Sequence, residues 1–365
     1  MLTLLINKLL LKRNLRKQTA FRIIPYRGYG NEADVFVTGR VTSRKQPIRP
    51  QKKHHAINNM LATIKRYSSA GIRGIKVQAV FMEQTKISVT DEYGFVSFHF
   101  HFENAAERLL SDRWHTVHFE LISPNTKNKI SCSATGEVTI IPHQQKRIFI
   151  SDIDDTVLLS HSTNTRKKLK LMLLKNACTR TPLQGVANFY KALASGRNQI
   201  DDNPFFYVSN SEWNLYDFME DFFDFNSIPK GVFMLRKLKN GVLKTAASKD
   251  ENYRQKQTKI ESLIRFYPNQ KFVLFGDNGQ QDPLIYNELA KRYPNKIEAV
   301  FIRKTDSHSF SQKMDFKRAT GQAASKYFEI ADTQEAAVIA EKLGLIGNNY
   351  FDKKGNQQKE EKKAR

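Results

Sequence analysis

The chain has 365 residues, and its 59 lysines and arginines against 36 aspartates and glutamates give a formal net charge of +23. A hydrophobic content of 40% excludes a disordered chain, and the length predicts two domains. The two cysteines are too few for a disulfide framework, so we expect a reducing, cytoplasmic location. No apolar run reaches the roughly 18 residues of a transmembrane helix, so we expect no transmembrane segment.

The positive charge is concentrated at the two ends of the chain. Residues 1–70 contain 15 bases and two acids, and residues 353–365 contain six bases and two acids. The 282 residues between them carry only +6. An excess of this size favours a polyanionic partner. No nucleic-acid motif accompanies it, so we expect no nucleic acid and favour an anionic phospholipid surface.

Residues 1–20 form a basic segment in which leucines and isoleucine recur at helical spacing. This pattern predicts an amphipathic helix lying on an anionic membrane, which would make the protein peripheral at a membrane surface. A helix packed on the body of the protein and a targeting signal are the alternatives. At the other end we interpret residues 346–365 as a basic polar tail.

Residues 21–145 predict a β-rich domain. Apolar and polar residues alternate in four runs, which are Asp34–Thr42, Ile75–Met82, Phe95–Phe102 and His115–Ile122. Thr90–Gly94 supplies the Asp and Gly of a tight turn. Short strands separated by turns predict a small antiparallel β-sandwich-like domain, with a barrel as the alternative.

Residues 146–345 predict an α/β domain, because strand and helix patterns alternate there as in a parallel sheet. The predicted strands are Arg147–Ser151, Phe205–Val208, Lys271–Phe275 and Ile297–Ile302. Thr181-Pro182 predicts the start of the first helix, since Thr is a good N-cap and Pro suits the first helical position. Further helices are predicted at Trp213–Phe223, Lys256–Phe266, Asp282–Arg292 and Thr333–Leu343.

Carboxylates follow two of these strands directly. Asp152, Asp154 and Asp155 come after the first, and Asp277 and Asp282 come after Lys271–Phe275. Crowded carboxylates repel one another unless a cation or a shared proton compensates them. Strand ends of one sheet bring such groups together, so the two clusters predict a Mg²⁺ site. Helix capping and solvated loop acids are the alternative interpretation of each cluster alone.

Two further residues point to phosphate. Ser209 ends a strand, where a hydroxyl and free backbone N–H groups can hold phosphate oxygens. Lys256, at the start of an amphipathic helix, supplies a positive charge, although Lys259 lies one turn later on nearly the same face.

The order Asp, Ser, Lys, Asp resembles the four-motif layout of the haloacid dehalogenase superfamily. The segments SDIDDTVL, YVSNSEWNLYDF and KFVLFGDNGQQDPLIY resemble the catalytic domain of the actin-patch type of Mg²⁺-dependent phosphatidate phosphatases. In the first half, Tyr26–Gly30, Gly39-Arg40-Val41 and Thr90–Gly94 resemble the β-rich region that precedes this domain. The resemblance implies a Rossmann-like parallel sheet of the haloacid dehalogenase type.

The resemblance also implies roles for individual residues. Asp152 is the expected nucleophile, forming an aspartyl-phosphate, and Asp154 the expected acid and base. The Asp152 carboxylate, the Asp154 carbonyl and Asp277 would hold Mg²⁺. Ser209 and Lys256 would bind the phosphoryl group. Four residues are expected in supporting roles: Asp155, Thr156, Asn210 and Asp282.

The expected reaction is hydrolysis of phosphatidate to diacylglycerol and phosphate. Another phosphomonoester substrate, or a membrane-binding protein with a vestigial site, are the alternatives. The sequence departs from the family pattern at Ser160-His161, Glu212 and Lys237, near the mouth of the expected site. These departures bear on substrate preference more than on the chemical groups.

Overall fold

A computed structural model describes residues 21–43, 71–103, 112–122, 132–158, 182–236, 249–305, 326–348 and 350. The basic segment 1–20, Ser160-His161, Lys237 and most of the tail 346–365 lie outside these residues. None of the described helices combines the length and the hydropathy that crossing a bilayer requires.

The first half of the described chain forms one seven-stranded sheet, in the order β4-β3-β6-β7-β1-β2-β5. The strands are β1 Arg22–Gly30, β2 Asp34–Thr42, β3 Lys76–Phe81, β4 Gln84–Val89, β5 Phe95–His101, β6 Trp114–Leu121 and β7 Ser133–Ile140. Neighbours pair antiparallel except β1 and β7, which pair in parallel. The edge strands β4 and β5 approach each other, since the Gln84 side chain donates to the His101 carbonyl at 2.7 Å.

The strand predictions for this half are confirmed to within one residue at each end. The strands belong to a single sheet rather than to two facing ones, so of the two predicted forms the structure agrees with a barrel more closely than with a sandwich. Its buried apolar side chains, such as Val37, Val77, Phe100 and Phe119, meet in one cluster contributed by strands from across the sheet. The continuous sheet therefore curls around a common core.

The second half forms a six-stranded parallel sheet, which confirms the predicted α/β class. Its strands are β8 Arg147–Ser151, β9 Phe205–Glu212, β10 Val232–Arg236, β11 Lys271–Asp277, β12 Ile297–Arg303 and β13 Tyr327–Ile330. They are ordered β10-β9-β8-β11-β12-β13 and all pair in parallel. Counted within this sheet, the order is 3-2-1-4-5-6, so the direction of winding reverses between β8 and β11.

Helices cover both faces of the parallel sheet. They are α1 Val186–Ser195, α2 Tyr216–Phe225, α3 Lys249–Phe266, α4 Asp282–Arg292 and α5 Thr333–Lys342. Side chains of α1, α2 and α5 share one core cluster with one face of the sheet. Side chains of α3 and α4 share another cluster with the opposite face. The fold is thus a three-layer α/β arrangement beside the curled sheet.

Three helix starts differ from the sequence prediction. Helix α2 begins at Tyr216 and not at Trp213, because Trp213–Leu215 form a 3-10 turn before it. Helix α1 begins at Val186 after Gly185, which has φ 79°, and not at Pro182; Thr181 lies outside the described residues. Helix α3 begins at Lys249, seven residues before the predicted start at Lys256. Its first turns are polar, so apolar periodicity did not reveal them. Asp250 and Glu251 in the first turn favour this earlier start, since acids stabilise helix N-termini.

The two halves meet through aromatic side chains of β1. The Tyr26 ring lies 4.2 Å from that of Trp213 and 4.7 Å from that of Tyr216, between centroids. Tyr29 packs edge-on against Phe206 and Phe266. These contacts bury one face of β1 against the parallel sheet and bring the first half next to the end of β9.

Candidate active site

The site lies where the winding of the parallel sheet reverses. Asp152 follows β8 directly, and Asp277 is the last residue of the neighbouring strand β11. The Asp152 backbone N–H donates to the Phe275 carbonyl at 2.8 Å, which fixes the first strand end against the second. Ligands bind in open α/β sheets at the carboxyl edge beside such a reversal.

Three carboxylates meet at this edge. Single oxygens of Asp152, Asp277 and Asp282 lie within 4.8 Å of one another, and all three residues are buried. Asp282 opens α4 and accepts a hydrogen bond from the Asp277 N–H at 3.4 Å. Asp277 also accepts from the Gly279 N–H at 2.7 Å. The helix start and the strand end therefore present their carboxylates to one point.

Lys256 lies among these carboxylates, on the buried side of α3. Its Nζ donates to Asp152 Oδ1 at 2.6 Å and also to Asp282 Oδ1. Burial alone lowers the pKa of this amine, but Asp152 and Asp282 outweigh burial and raise it. Lys256 is therefore a permanent cation, and it is the lysine of this helix that contacts the carboxylates.

One ammonium does not neutralise three carboxylates. The formal sum of the four groups is −2, and burial raises the pKa of Asp277 to about 8, with Asp282 adding to the shift and Lys256 opposing it. Burial also raises the pKa of Asp152, again against Lys256. Asp152 Oδ2 is buried without a hydrogen bond to the described residues. Uncompensated negative charge and a spare oxygen fit a divalent metal ion.

Asp154 lies beside this cluster and faces two hydroxyls. Its Oδ2 accepts from Ser209 Oγ at 3.2 Å and from Ser211 Oγ at 2.9 Å. The Ser211 N–H in turn donates to Ser209 Oγ at 2.9 Å. The carboxyl group of Asp154 is thereby oriented by the end of β9 and not by the three-carboxylate cluster.

The remaining predicted site residues line the same edge. Asp155 is buried with φ 60°, a conformation that turns the chain sharply after the strand. Thr156 Oγ1 and Asn210 Oδ1 are buried and make no hydrogen bond within the part of the chain that the structure describes. These two polar atoms are available to a ligand, and they do not touch the carboxylates through any hydrogen bond seen here.

Two residues of the site were not singled out from the sequence as site residues. Ser211 was missed because the strand was expected to end at Val208, whereas β9 continues to Glu212. Lys259 was considered only as an alternative to Lys256; its Nζ donates to the Met234 carbonyl at 3.1 Å and the Ser209 carbonyl at 3.4 Å. Burial, with Lys256 and Arg236 nearby, lowers the pKa of Lys259 to about 7.

Glu212, where the sequence departs from the family pattern, is tied to β10. It accepts a hydrogen bond from the Arg236 guanidinium at 2.7 Å, and both side chains are largely buried. The unusual residue Glu212 thus forms an ion pair that joins the ends of β9 and β10.

A cavity of about 860 Å³ lies beside the end of β9. Its wall is largely apolar and is contributed by both halves of the chain, including Tyr29, Phe36, Phe95, Trp213 and Met234. Lys259 lines the cavity and also contacts the Ser209 carbonyl. The Lys259 side chain therefore connects the apolar cavity to Ser209, a candidate site residue.

The family comparison matches the half that carries this site. Residues 147–304 match the family model described as phosphatidate phosphatase APP1, catalytic domain. An uncharacterized protein of Schizosaccharomyces pombe is 28% identical over 188 residues, which cover 52% of this chain and 30% of that protein. Phosphatidate phosphatase APP1 of Saccharomyces cerevisiae is 30% identical over 154 residues, 42% of this chain and 25% of the yeast protein.

The chain thus spans less than a third of the length of these two curated relatives. Among solved structures, that of a carbohydrate esterase aligns over 86% of this chain and 88% of the esterase chain, at 9% identity. Its TM-score of 0.21 is too low to bear on the fold. Residues 147–304, which carry the site, are thus similar to the catalytic domain of phosphatidate phosphatase APP1, in agreement with the motifs of the sequence.

Proposed function

We propose that the protein is a Mg²⁺-dependent phosphatase that hydrolyses phosphatidate to diacylglycerol and phosphate. The observation that carries the proposal is the buried group of Asp152, Asp277 and Asp282 around Lys256, with Asp154 beside it. The family match of residues 147–304 supports the same activity.

We also propose the domain organisation and fold type that this function implies. Residues 146–345 would be a Rossmann-like phosphatase domain of the haloacid dehalogenase type, and residues 21–145 a separate β domain. The 3-2-1-4-5-6 strand order of the parallel sheet supports the Rossmann-like assignment. Residues 1–20 and 346–365 would be the basic flanking segments.

In the proposed reaction an oxygen of Asp152 attacks phosphorus while the bond from phosphorus to the ester oxygen breaks. The proton that the leaving alkoxide needs would come from Asp154, giving an aspartyl-phosphate on Asp152 and an Asp154 carboxylate. That carboxylate would then take a proton from water as the water oxygen attacks phosphorus and the bond from phosphorus to the Asp152 oxygen breaks, which releases phosphate and restores both residues. Ser209 and Ser211 support this role, because their hydroxyls both donate to Oδ2 of Asp154 and so fix the direction of its carboxyl group.

Lys256 would act without moving. Its ammonium lies 2.6 Å from Asp152 Oδ1, so it is already where negative charge develops on the phosphoryl oxygens. A buried, preorganised cation stabilises such charge more than a hydrated one does. Its pairing with Asp282 fixes its direction.

The carboxylates of Asp152 and Asp277 and the carbonyl of Asp154 would hold the metal, with Asp282 adjoining them. The donor set is all oxygen, and its formal charge of −2 together with Lys256 matches one divalent ion. We propose Mg²⁺, a hard cation suited to carboxylate ligands and phosphate oxygens. When bound, it would offset charge on the transferring phosphoryl group.

A lipid substrate is favoured over a small polar ester by the cavity beside β9. Its volume of about 860 Å³ and its aromatic lining suit an acyl chain rather than a polar group. We further propose that the protein works peripherally at the cytoplasmic surface of a membrane. The excess of 13 positive charges in residues 1–70 supports an attraction to anionic phospholipid.

The decisive experiment measures phosphate release from phosphatidate vesicles and from p-nitrophenyl phosphate, each with Mg²⁺ and with EDTA. We expect turnover of both that EDTA abolishes, and a loss of at least about 10³-fold in Asp152→Asn, because a nucleophile is removed. Asp250→Asn, an exposed carboxylate on the same helix as Lys256, is the matched control and should keep its activity.

The outcomes separate the parts of the proposal. Activity that survives EDTA, or an Asp152→Asn variant as active as the parent, contradicts the mechanism. Turnover of p-nitrophenyl phosphate without turnover of phosphatidate keeps the mechanism and rejects the lipid substrate.

A further inference from the structure

We propose that Arg40, on the curled sheet, is a positioning residue for the phosphatase site, acting through Asn214 in the 3-10 turn Trp213–Leu215 that follows β9. The proposal deepens the proposed function and rests on it for its kinetic test. It gives the N-terminal sheet a role in catalysis that no motif assigns to it.

Arg40 reaches from β2 into the second half of the chain. Its Nη1 donates to Asn214 Oδ1 at 2.5 Å, and its Nε donates to the Tyr93 carbonyl at 3.0 Å. The guanidinium also lies over the Phe95 ring, 5.2 Å from the centroid. Arg40 and Asn214 are both buried, so these bonds are not exchanged for bonds to water.

The three sequence motifs of the first half converge on this contact. Gly39-Arg40-Val41 supplies the guanidinium, and Thr90–Gly94 supplies the carbonyl that orients it. Tyr26, from the third motif, packs at a tilt of 34° against Trp213 with ring centroids 4.2 Å apart. The curled sheet therefore contacts Trp213 through the Tyr26 ring and Asn214 through a hydrogen bond from Arg40.

Asn214 is close in the chain to the groups that orient Asp154. It follows Ser209 by five residues and Ser211 by three, and both serines donate to Asp154 Oδ2. The other side of this segment is held by Lys259, which donates to the Ser209 carbonyl. With Asn214 released, this segment would lose the side-chain hydrogen bond that holds it to the curled sheet, and the ring contact of Tyr26 with Trp213 would remain.

Arginine suits this place better than lysine. Its planar fork donates to two acceptors in fixed directions while its face stacks on an aromatic ring. Lysine keeps the charge but meets the two acceptors with a single flexible ammonium. Arg40→Lys thus tests orientation rather than charge.

The experiment compares Arg40→Lys with Arg113→Lys. Arg113 also joins the two halves, because its Nε donates to Asp202 at 2.9 Å, but Asp202 precedes the amino end of β9, away from the site. We would measure kcat and KM for p-nitrophenyl phosphate with Mg²⁺, well below each variant's unfolding temperature. Hydrogen–deuterium exchange of residues 205–216 would be followed in the same samples.

We expect Arg40→Lys to lower kcat about tenfold with KM within about twofold, because small misplacements of catalytic groups cost up to about 100-fold. Exchange at residues 209–214 should become faster. Arg113→Lys should leave kcat within about twofold and the exchange of residues 209–214 unchanged. A purely structural role would lower the unfolding temperature in both variants without this difference.

A second pair of variants leaves Arg40 intact. Asn214→Asp keeps the Oδ1 acceptor and should retain kcat within about threefold, whereas Asn214→Ala should lose about tenfold, as Arg40→Lys does. Combining Arg40→Lys with Asn214→Ala should add little further loss if both act through one bond.

The proposal is overturned if Arg40→Lys keeps kcat within twofold and leaves exchange at residues 209–214 unchanged. It is equally overturned if Arg113→Lys matches its effect on both. A parent protein that releases no phosphate from any ester contradicts the proposed function. In that case the hydrogen–deuterium exchange of residues 209–214 still decides whether Arg40 holds this segment.

Discussion

Replacing Lys256 by methionine removes the only cation among the described residues that is bonded to the buried carboxylates of Asp152 and Asp282. The ammonium lies 2.6 Å from Asp152 and is bonded to Asp282, and the side chains of all three are at most 2% exposed. Breaking a buried ion pair by removing one partner costs about 3–5 kcal/mol. We expect the lower end, about 3 kcal/mol, because a carboxylate in this cluster can take up a proton instead.

The matched comparison is Lys259→Met, the same substitution one turn along the same helix. Lys259 donates to two carbonyls and to no carboxylate at salt-bridge distance among the described residues, and burial lowers its pKa to about 7. Removing it loses hydrogen bonds but also ends the cost of burying an amine. At about pH 7 and below we therefore expect its effect on stability to stay within about 1 kcal/mol.

The assay is thermal unfolding of both variants and the parent, in EDTA and then with excess Mg²⁺. A loss of about 3 kcal/mol corresponds to a fall of roughly 6–12 °C for a domain of this size. Added Mg²⁺ should raise the unfolding temperature of Lys256→Met by more than that of the parent, because the cluster then lacks one more positive charge. Equal losses in the two variants, or no larger Mg²⁺ effect in Lys256→Met, would refute the charge-balance reasoning.

Three further outcomes follow from the same physical chemistry. The folded-state pKa of Asp277 is raised to about 8, so in EDTA the free energy of unfolding should fall as pH rises from about 4 to 8. Mg²⁺ should make this fall smaller. Urea titrations at several pH values measure both effects. The folded-state pKa of Lys259 is lowered from 10.5 to about 7, so the parent should gain stability relative to Lys259→Met between about pH 7 and 10; a constant difference would contradict this. Gly94 has φ 82°, and a Cβ there would lie 2.5 Å from the Val41 carbonyl oxygen. Gly94→Ala should therefore lower the free energy of unfolding by at least about 2 kcal/mol in denaturant titrations. Gly74 has φ 79° but open space around it, so Gly74→Ala should cost less.

The sequence predicted the carboxylate cluster because parallel strands end at one edge of their sheet. Asp152 and Asp277 each follow an apolar run, and β8 and β11 are neighbours, so two short motifs 125 positions apart in the chain point to one place. Apolar periodicity likewise predicted α4 and most strands to within a residue or two. Local patterns and one topological rule sufficed for this part of the structure.

Other features could not be read in the same way, for identifiable reasons. Strand β1 contains Pro25, Gly28 and Gly30 and lacks a clean alternation, so it was not predicted. Most of the first turns of α3 are polar, so its start was placed at Lys256. The bond from Arg40 to Asn214 joins residues 174 positions apart and leaves no periodic signal in either segment. Long-range polar contacts of this kind depend on how the two halves pack.

The outer edge of the parallel sheet bears on where a shortened form of the proposed phosphatase domain could end. The family match ends at residue 304, directly after β12, while β13 pairs with β12 along Tyr327–Ile330. A fragment ending at the match would strip β12 of its outer neighbour and expose the Phe301 ring that stacks near Phe328. An apolar strand with a free edge recruits further strands from other molecules, so such a fragment would aggregate. We therefore expect that a soluble fragment of the proposed phosphatase domain must extend past residue 304 to the end of α5.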